Sequence, residues 1–414
     1  MLATLRNRTF RRLFTAQVVA LVGTGLLTVA LGLLAYDLAG TQAGAVLGTA
    51  LAIKMVAYVV IAPVISALTD HVPRRALLVG ADVVRAVIAL ALPFVDQPWQ
   101  IYVLIFVLQS ASATFTPAFQ SVIPSVLVDE DDYTRGLSLS RLAYDLESLL
   151  SPILAAALLS VVTYNYLFLG TVAGFAASAL LVVSTTLPMI APADRSVPLV
   201  QRVTLGARVM FSRPRLRGLL ALNLSVAAAT GLVLVNTVVY VRELLGGSNT
   251  GVAIALGIYG GGSMLVALTL PRLLARIPDR RVMLTGAALL PIGLTATVAL
   301  LVADAGRGAG WALLAGTWLV LGMGTSLINT PSARLLRFES EPENRGAVFT
   351  AQFSLSHACF FFTYTIAGWV GATVSQPIAA ITLAVLATLA GLVAARAWPA
   401  RTEPITEPVP AGRA

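Results

Sequence analysis

The sequence predicts an all-α polytopic membrane protein, with twelve transmembrane helices in two pseudo-symmetric six-helix bundles. Three observations carry this. Apolar blocks close to the roughly 20 residues needed to cross a bilayer recur along the whole chain. Arginines gather in alternate connections, and the second half repeats the first at a nearly constant offset.

The apolar blocks come first. Of 414 residues, 57% are hydrophobic and 11% charged, with mean hydropathy +0.86. An ordinary soluble chain carries about 25% charged residues, so a soluble enzyme is excluded. Spans are expected near 13–36, 43–68, 77–95, 99–121, 137–162, 166–188, 217–241, 250–271, 282–303, 310–331, 347–372 and 377–397. None alternates polar and apolar residues as barrel strands do, and helices satisfy their own backbone in lipid. The expected organisation is a first bundle over 1–188, a central loop over 189–216, a second bundle over 217–398 and a disordered tail over 399–414. The central loop contains arginines and prolines, and a helix along the membrane surface can form part of it. The basic N-terminal stretch "MLATLRNRTFRRLF" reads as the start of an uncleaved first helix, because no small-residue cleavage site follows.

The arginines set orientation. Net charge is +9, and Lys54 is the only lysine. With the N-terminus inside, the inner connections receive Arg6, Arg8, Arg11, Arg12, Arg74, Arg75, Arg135 and the run from Arg195 to Arg217. They also receive Arg272, Arg276, Arg280, Arg281, Arg334, Arg337 and Arg345, whereas the outside receives Arg242 and Arg307. That bias is expected to place both termini in the cytoplasm. It also explains the positive charge without nucleic acid. Cys359 is the single cysteine, which excludes an intramolecular disulfide. No phosphate-cradling loop occurs, so no nucleotide or other cofactor is expected.

The repeat comes third. Adding 206 carries Arg11 to Arg217, Gln17 to Asn223, Thr24-Gly25 to Thr230-Gly231, Arg74-Arg75 to Arg280-Arg281 and Gly80 to Gly286. Thr116-Pro117 maps to Thr330-Pro331 at 214, and Arg135-Gly136 to Arg345-Gly346 at 210. Two parallel six-helix repeats joined by a loop place a substrate site between them, near the membrane middle.

The second-to-third connection reads "SALTDHVPRRALLVGADVVRA". Asp70, Arg74 and Arg75 match the charged positions of the Gly-x-x-x-Asp-x-x-x-Arg-Arg loop, with Ser66 and Pro73 where glycines are usual. With the weaker copy "ARIPDRRVMLTG", the whole chain resembles the major facilitator superfamily. "FTPAFQSVIPSVL" and "YDLAG" resemble its multidrug-type bacterial exporters, although Gln120 stands where an arginine is common and Ser151-Pro152 where a Gly-Pro pair is. "SRLAYDLESLLSP" and "FSLSHACF" resemble exporters associated with nickel resistance. The resemblance implies alternating access, efflux of a small molecule or ion, and proton antiport by a monomer. It also implies a bacterial inner membrane and gating by Asp70, Arg74, Arg75, Asp82 and Arg85, in which Asp70 can pair with Arg74, Arg75 or Arg85, and Asp82 with Arg85 at i and i+3.

Ionisable residues inside the spans are costly and usually face a cavity or a partner. Lys54, Arg141, Asp145, Glu147 and His357 are the candidates for proton coupling or substrate binding, with Arg141 and Asp145 spaced i and i+4 as a pair that is structural or functional. Ser140, Tyr144, Glu147 and Ser151 fall on one stripe, expected to face the pathway. Adding 210 takes Glu147 to His357, at matching depth on the fifth and eleventh spans. A carboxylate and an imidazole there suit proton exchange, and the same two can ligate a divalent metal. Tyr144, Gln109, Asn223 and Asn236 are secondary candidates for substrate hydrogen bonds. The cargo is therefore a lipophilic drug or a divalent metal such as nickel or cobalt. The low aromatic content, 7%, gives drugs no special support. A non-transporting sensor or scaffold is the competing class; a membrane-embedded enzyme lacks an evident nucleophile and base.

Overall fold

The computed structural model describes residues 2–61, 72–127, 129–187, 199–274, 276–303, 307–341 and 345–398. The helices are α1 (Arg8–Ala39), α2 (Ala43–Val56), α3 (Arg74–Ala91), α4 (Pro98–Val126), α5 (Glu130–Leu159) and α6 (Asn165–Val183). After α7 (Leu199–Ser212) come α8 (Pro214–Val239), α9 (Asn249–Leu274), α10 (Asp279–Val302), α11 (Arg307–Phe338), α12 (Arg345–Thr365) and α13 (Gln376–Ala397). No strand occurs among the described residues. All but α7 correspond to the expected spans, and α7 lies inside the predicted central loop, packed on α8 and α12. Eight stretches of described helix are long and apolar enough to cross a membrane, the first running unbroken from Arg8 to Val60 through α1 and α2.

Local chemistry accounts for the ends. The Asn7 side chain accepts from Phe10 N at 3.1 Å and opens α1. Gly40, at φ +52°, closes it in the left-handed region that a side chain disfavours. Pro98 starts α4, with Gln97 and Gln100 forming a reciprocal cap. Asp129 caps α5 through Asp132 N at 3.0 Å. A π turn follows α2 (Ala57–Ile61), α8 (Tyr240–Leu244) and α12 (Ile366–Val370). Such turns are rare and often adjoin functional sites.

Small residues bring backbones together. On α1 and α6, Gly23 and Gly174 face each other, and Thr171 Oγ1 donates to Gly23 O at 2.8 Å. Large apolar side chains such as Phe94, Leu180 and Leu268 cover the outside, as a lipid-facing surface requires.

The repeat is visible in matched contacts. Arg75, at the start of α3, donates to Val183 O at the C-terminal end of α6. Arg280, at the start of α10, donates to Ala395 O and Trp398 O, both at 3.1 Å, at the end of α13. Each cation satisfies carbonyls that a helix end leaves open. Arg75 thus works within its own half, and Asp70, another member of the expected gate, lies outside the described residues, as does the tail 399–414.

Contacts between the halves gather toward the face opposite the N-terminus. Gly44 and Gly48 of α2 abut Gly368 beyond α12; a Cβ at Gly48 would lie 2.6 Å from Tyr364 O. Trp369 Nε1 donates to Thr49 Oγ1 at 2.9 Å, and Gln42 Nε2 to Ala372 O at 3.1 Å. The Tyr36 hydroxyl of α1 donates to Glu243, while Arg242 lies 4.9 Å from the centre of the Tyr36 ring. Pro152 and Ile153 of α5 pack against Gly257 of α9.

Candidate functional site

Glu147 lies 17 residues into α5 and His357 12 residues into α12, about 25 Å and 18 Å along their helices at 1.5 Å per residue. Lys54 lies in the last turn of α2. All three are surrounded by protein yet partly accessible, the pattern of side chains lining an internal cavity. The helix assembly adds what no single segment predicts. Lys54 is within electrostatic reach of both Glu147 and His357, so it links the two repeat-related residues. Among the described residues, no direct ion pair joins Lys54 to Glu147.

Aromatic rings wall this group. Tyr58 follows Lys54 by one helical turn, in the π turn, and its ring centre is 5.8 Å from Lys54 Nζ. Across the halves, the Tyr58 ring stacks on His357 at 5.4 Å with 19° between planes and meets Phe353 at 6.0 Å. Phe353 is 4.0 Å from His357, and Phe360 is 6.4 Å away on the other side. His357 Nδ1 is 2.7 Å from Phe353 O. A carbonyl only accepts, so Nδ1 carries the proton in this contact and Nε2 is left to accept from a donor or to hold a cation.

Glu147 is set by α1. A Cβ at Gly25 would lie 2.1 Å from Ser151 Cβ and 2.9 Å from Glu147 Oε1. Only glycine lets α1 come that close to the carboxylate. This also corrects the expected stripe. Ser140 and Ser151 are buried with unpartnered hydroxyls, Ser151 against α1, while Tyr144 is exposed. The stripe therefore divides between helix packing and cavity.

The second half also holds a neutral polar chain. Thr230 of α8, Tyr259 of α9 and Thr325 of α11 form a hydroxyl chain, with 2.8 Å between Thr230 Oγ1 and Tyr259 OH and 3.2 Å between Tyr259 OH and Thr325 Oγ1.

The other candidates fall elsewhere. Asp82 and Arg85 form a buried ion pair on α3, with the guanidinium between Phe115 at 4.3 Å and Phe175 at 4.5 Å. That enclosure suits an internal brace of the first half. Asn236 Nδ2 donates to Gln376 Oε1 at 2.6 Å and Ala367 O at 3.1 Å, tying α8 to the α12–α13 junction. Asn223 is buried with its Nδ2 unpartnered, as is its repeat mate Gln17 at Oε1, and Gln109 is buried in α4. The side chains of Arg141 and Asp145 lie outside those described. Tyr58 and Phe353 were legible as i,i+4 partners of Lys54 and His357; the Thr230–Tyr259–Thr325 chain had no such local signal.

Glu147 and His357 remain the pair able to offer a metal a carboxylate and an imidazole, with the Lys54 ammonium within reach of both. Among the described residues, no group of three or more His, Cys, Asp or Glu side chains converges. An apolar groove between α10 and α13, lined by Thr295, Val298, Ile381 and Leu389, opens outward, away from this group.

Comparison with known proteins adds three findings. Residues 13–244 and 219–414 each match the Major Facilitator Superfamily. Macrolide efflux protein A of Streptococcus pyogenes is 27% identical over 184 residues, 43% of this chain and 45% of that protein; the chain thus spans about half the length of this relative. The multidrug resistance protein MdtG of Enterobacter lignolyticus is 30% identical over 113 residues, 27% of each chain. Among solved structures, a mutant of the nucleoside transporter NupG superposes with TM-score 0.72 at 15% identity, covering 94% of this chain and 100% of the other, a likeness of fold.

Proposed function

We propose that this chain, which belongs to the major facilitator superfamily, is a secondary active exporter that moves an amphipathic organic compound out of a bacterial cell by alternating access, in exchange for protons. The observation that carries the reading is the Lys54–Glu147–His357 group. It draws on α2 and α5 of one half and α12 of the other, at mid-depth, with its side chains partly accessible. Charge in such a place is expensive, and a pathway is the use that requires it.

Alternating access follows from where the halves touch. With Tyr36–Glu243, Gly44/Gly48–Gly368 and Thr49–Trp369 closed on the face opposite the N-terminus, access to the group lies toward the arginine-rich face. The arginine distribution makes that face cytoplasmic. Rocking the halves would open the Tyr36 side and close the other.

Glu147 is the proton-coupling group in this reading. Carboxylates exchange protons readily when a nearby cation and a changing solvent exposure alter the cost of their charge. Lys54 supplies that cation. For the cargo, the names of the two relatives favour drug-like molecules, and the rings of Tyr58, Phe353 and Phe360 give an apolar, planar surface. A divalent metal fits less well, because Lys54 repels it and Glu147 and His357 alone supply few ligands.

The test is growth and efflux in a drug-sensitised host challenged with macrolides, a multidrug panel, nickel and cobalt, comparing wild type with Glu147→Gln and His357→Ala. Drug tolerance lost in Glu147→Gln is the expected result. Metal tolerance lost in both variants would move the cargo to a divalent cation. Absence of flux for every compound would leave the sensor or scaffold reading.

A further inference from the structure

Lys54 and Glu147 carry opposite charges, interact across the cavity and stay apart. Neither makes a hydrogen bond or ion pair with another described side chain, although each lies deep in the protein and is partly accessible. Holding two such charges separate in a membrane interior costs more than closing them on each other. No described side chain closes on the ammonium or the carboxylate, so the inference below gives both to a ligand. Between them and the second half stands a ring wall, with Tyr58 stacked on His357 at 5.4 Å and Lys54 Nζ 5.8 Å from the Tyr58 ring centre. His357 Nδ1 is occupied by Phe353 O at 2.7 Å, which leaves Nε2 as the acceptor of the ring.

We infer that this cavity selects amphoteric aromatic solutes, whose anionic group pairs with Lys54, whose cationic amine pairs with Glu147, and whose flat ring lies against Tyr58 and His357. The inference rests on the exporter reading and narrows its substrate class from amphipathic compounds to those carrying both charges. A solute with only an amine leaves Lys54 unmatched, and one with only a carboxylate leaves Glu147 unmatched. Lys54 thereby acts as the specificity-determining residue of the site.

The experiment compares a quinolone carboxylic acid bearing a basic amine, its ethyl ester, and the analogue lacking the amine. Binding is measured on detergent-purified protein, and efflux in cells expressing it. Wild type should favour the amphoteric acid over either analogue by about tenfold, the cost of one lost charge-assisted bond. Lys54→Met should abolish the preference of acid over ester while keeping the ester bound. Lys54→Arg should retain the preference. Glu147→Gln should shift preference toward the amine-free acid. Because each readout is a ratio within one variant, a lower yield of folded protein does not distort it. A wild type that prefers the ester, or an acid-to-ester ratio unchanged in Lys54→Met, overturns the inference and leaves the exporter reading intact; a chain that exports nothing in the host panel defeats the exporter reading instead.

Discussion

In the first half of the chain, Gly25 of α1 is pressed against Ser151 and the Glu147 carboxylate of α5; in the second, its repeat mate Gly231 on α8 is pressed against Thr363 of α12. Arg75 ties α3 to the end of α6, and Arg280 ties α10 to the end of α13. The frame is thus built twice from equivalent residues. The polar side chains it carries are not. The first half carries Lys54, Glu147 and the Asp82–Arg85 pair, whereas the second carries His357 and the neutral Thr230–Tyr259–Thr325 hydroxyls. Duplicated packing constrains backbone approach and leaves cavity side chains free to diverge. On the proposed function, charge movement belongs to the first half and neutral recognition mainly to the second.

The largest effect should follow from removing the charge that distinguishes the halves. Glu147→Gln should lower drug efflux about 100-fold, in the range of a lost acid–base group, and His357→Asn about tenfold or less. Equal losses, measured as initial efflux rates at matched expression, would erase the distinction.

Next is the matched glycine pair. An alanine Cβ at 25 would meet Ser151 at 2.1 Å, whereas at 231 its nearest neighbour is Thr363 Oγ1 at 3.1 Å. Gly25→Ala should cost about 1–3 kcal/mol, as overpacking does, and Gly231→Ala less than about 1 kcal/mol. Thermal unfolding in detergent reads the difference. Gly25→Ala should also disturb efflux beyond its effect on yield, because Glu147 must move.

A smaller effect is expected on the neutral hydroxyl chain. Tyr259→Phe deletes the hydroxyl that joins Thr230 to Thr325. It should raise the apparent KM about three- to tenfold, the worth of one or two neutral hydrogen bonds, and leave pH dependence unchanged. A shifted pH profile would put charge coupling in the second half as well. The smallest change is at the closed face. Tyr36→Phe loses the bond to Glu243 while keeping the ring under Arg242. It should raise labelling of a cysteine introduced at Thr49 about twofold, by easing opening on that side.

Much of this arrangement is legible in the chain. Span positions follow from hydropathy, while the arginine bias and the offset of 210 give the expected orientation and the proposed pairing of Glu147 with His357. The Asp82–Arg85 contact follows from i,i+3 spacing, but its enclosure by Phe115 and Phe175 comes from α4 and α6. The role of Lys54 was only half visible. Its depth can be counted along α2, yet its nearness to both Glu147 and His357 depends on how α2, α5 and α12 are rotated against one another. Asn236 shows a different limit. A buried amide in a span looks like a substrate ligand, and only folding shows that Gln376, 140 residues away, accepts from its Nδ2 while its Oδ1 has no partner. The overall aromatic content does not reveal local clusters, because Tyr58, Phe353 and Phe360 come together around His357 only on folding.

The central claim is that proton coupling resides on Glu147 of the first half. Purified protein in liposomes, loaded with an exported drug, gives two rates: exchange at equal pH, and transport driven by an imposed pH gradient. The account predicts that Glu147→Gln retains exchange but loses acceleration by the gradient, while His357→Asn retains both. Full gradient-driven acceleration in Glu147→Gln would contradict it.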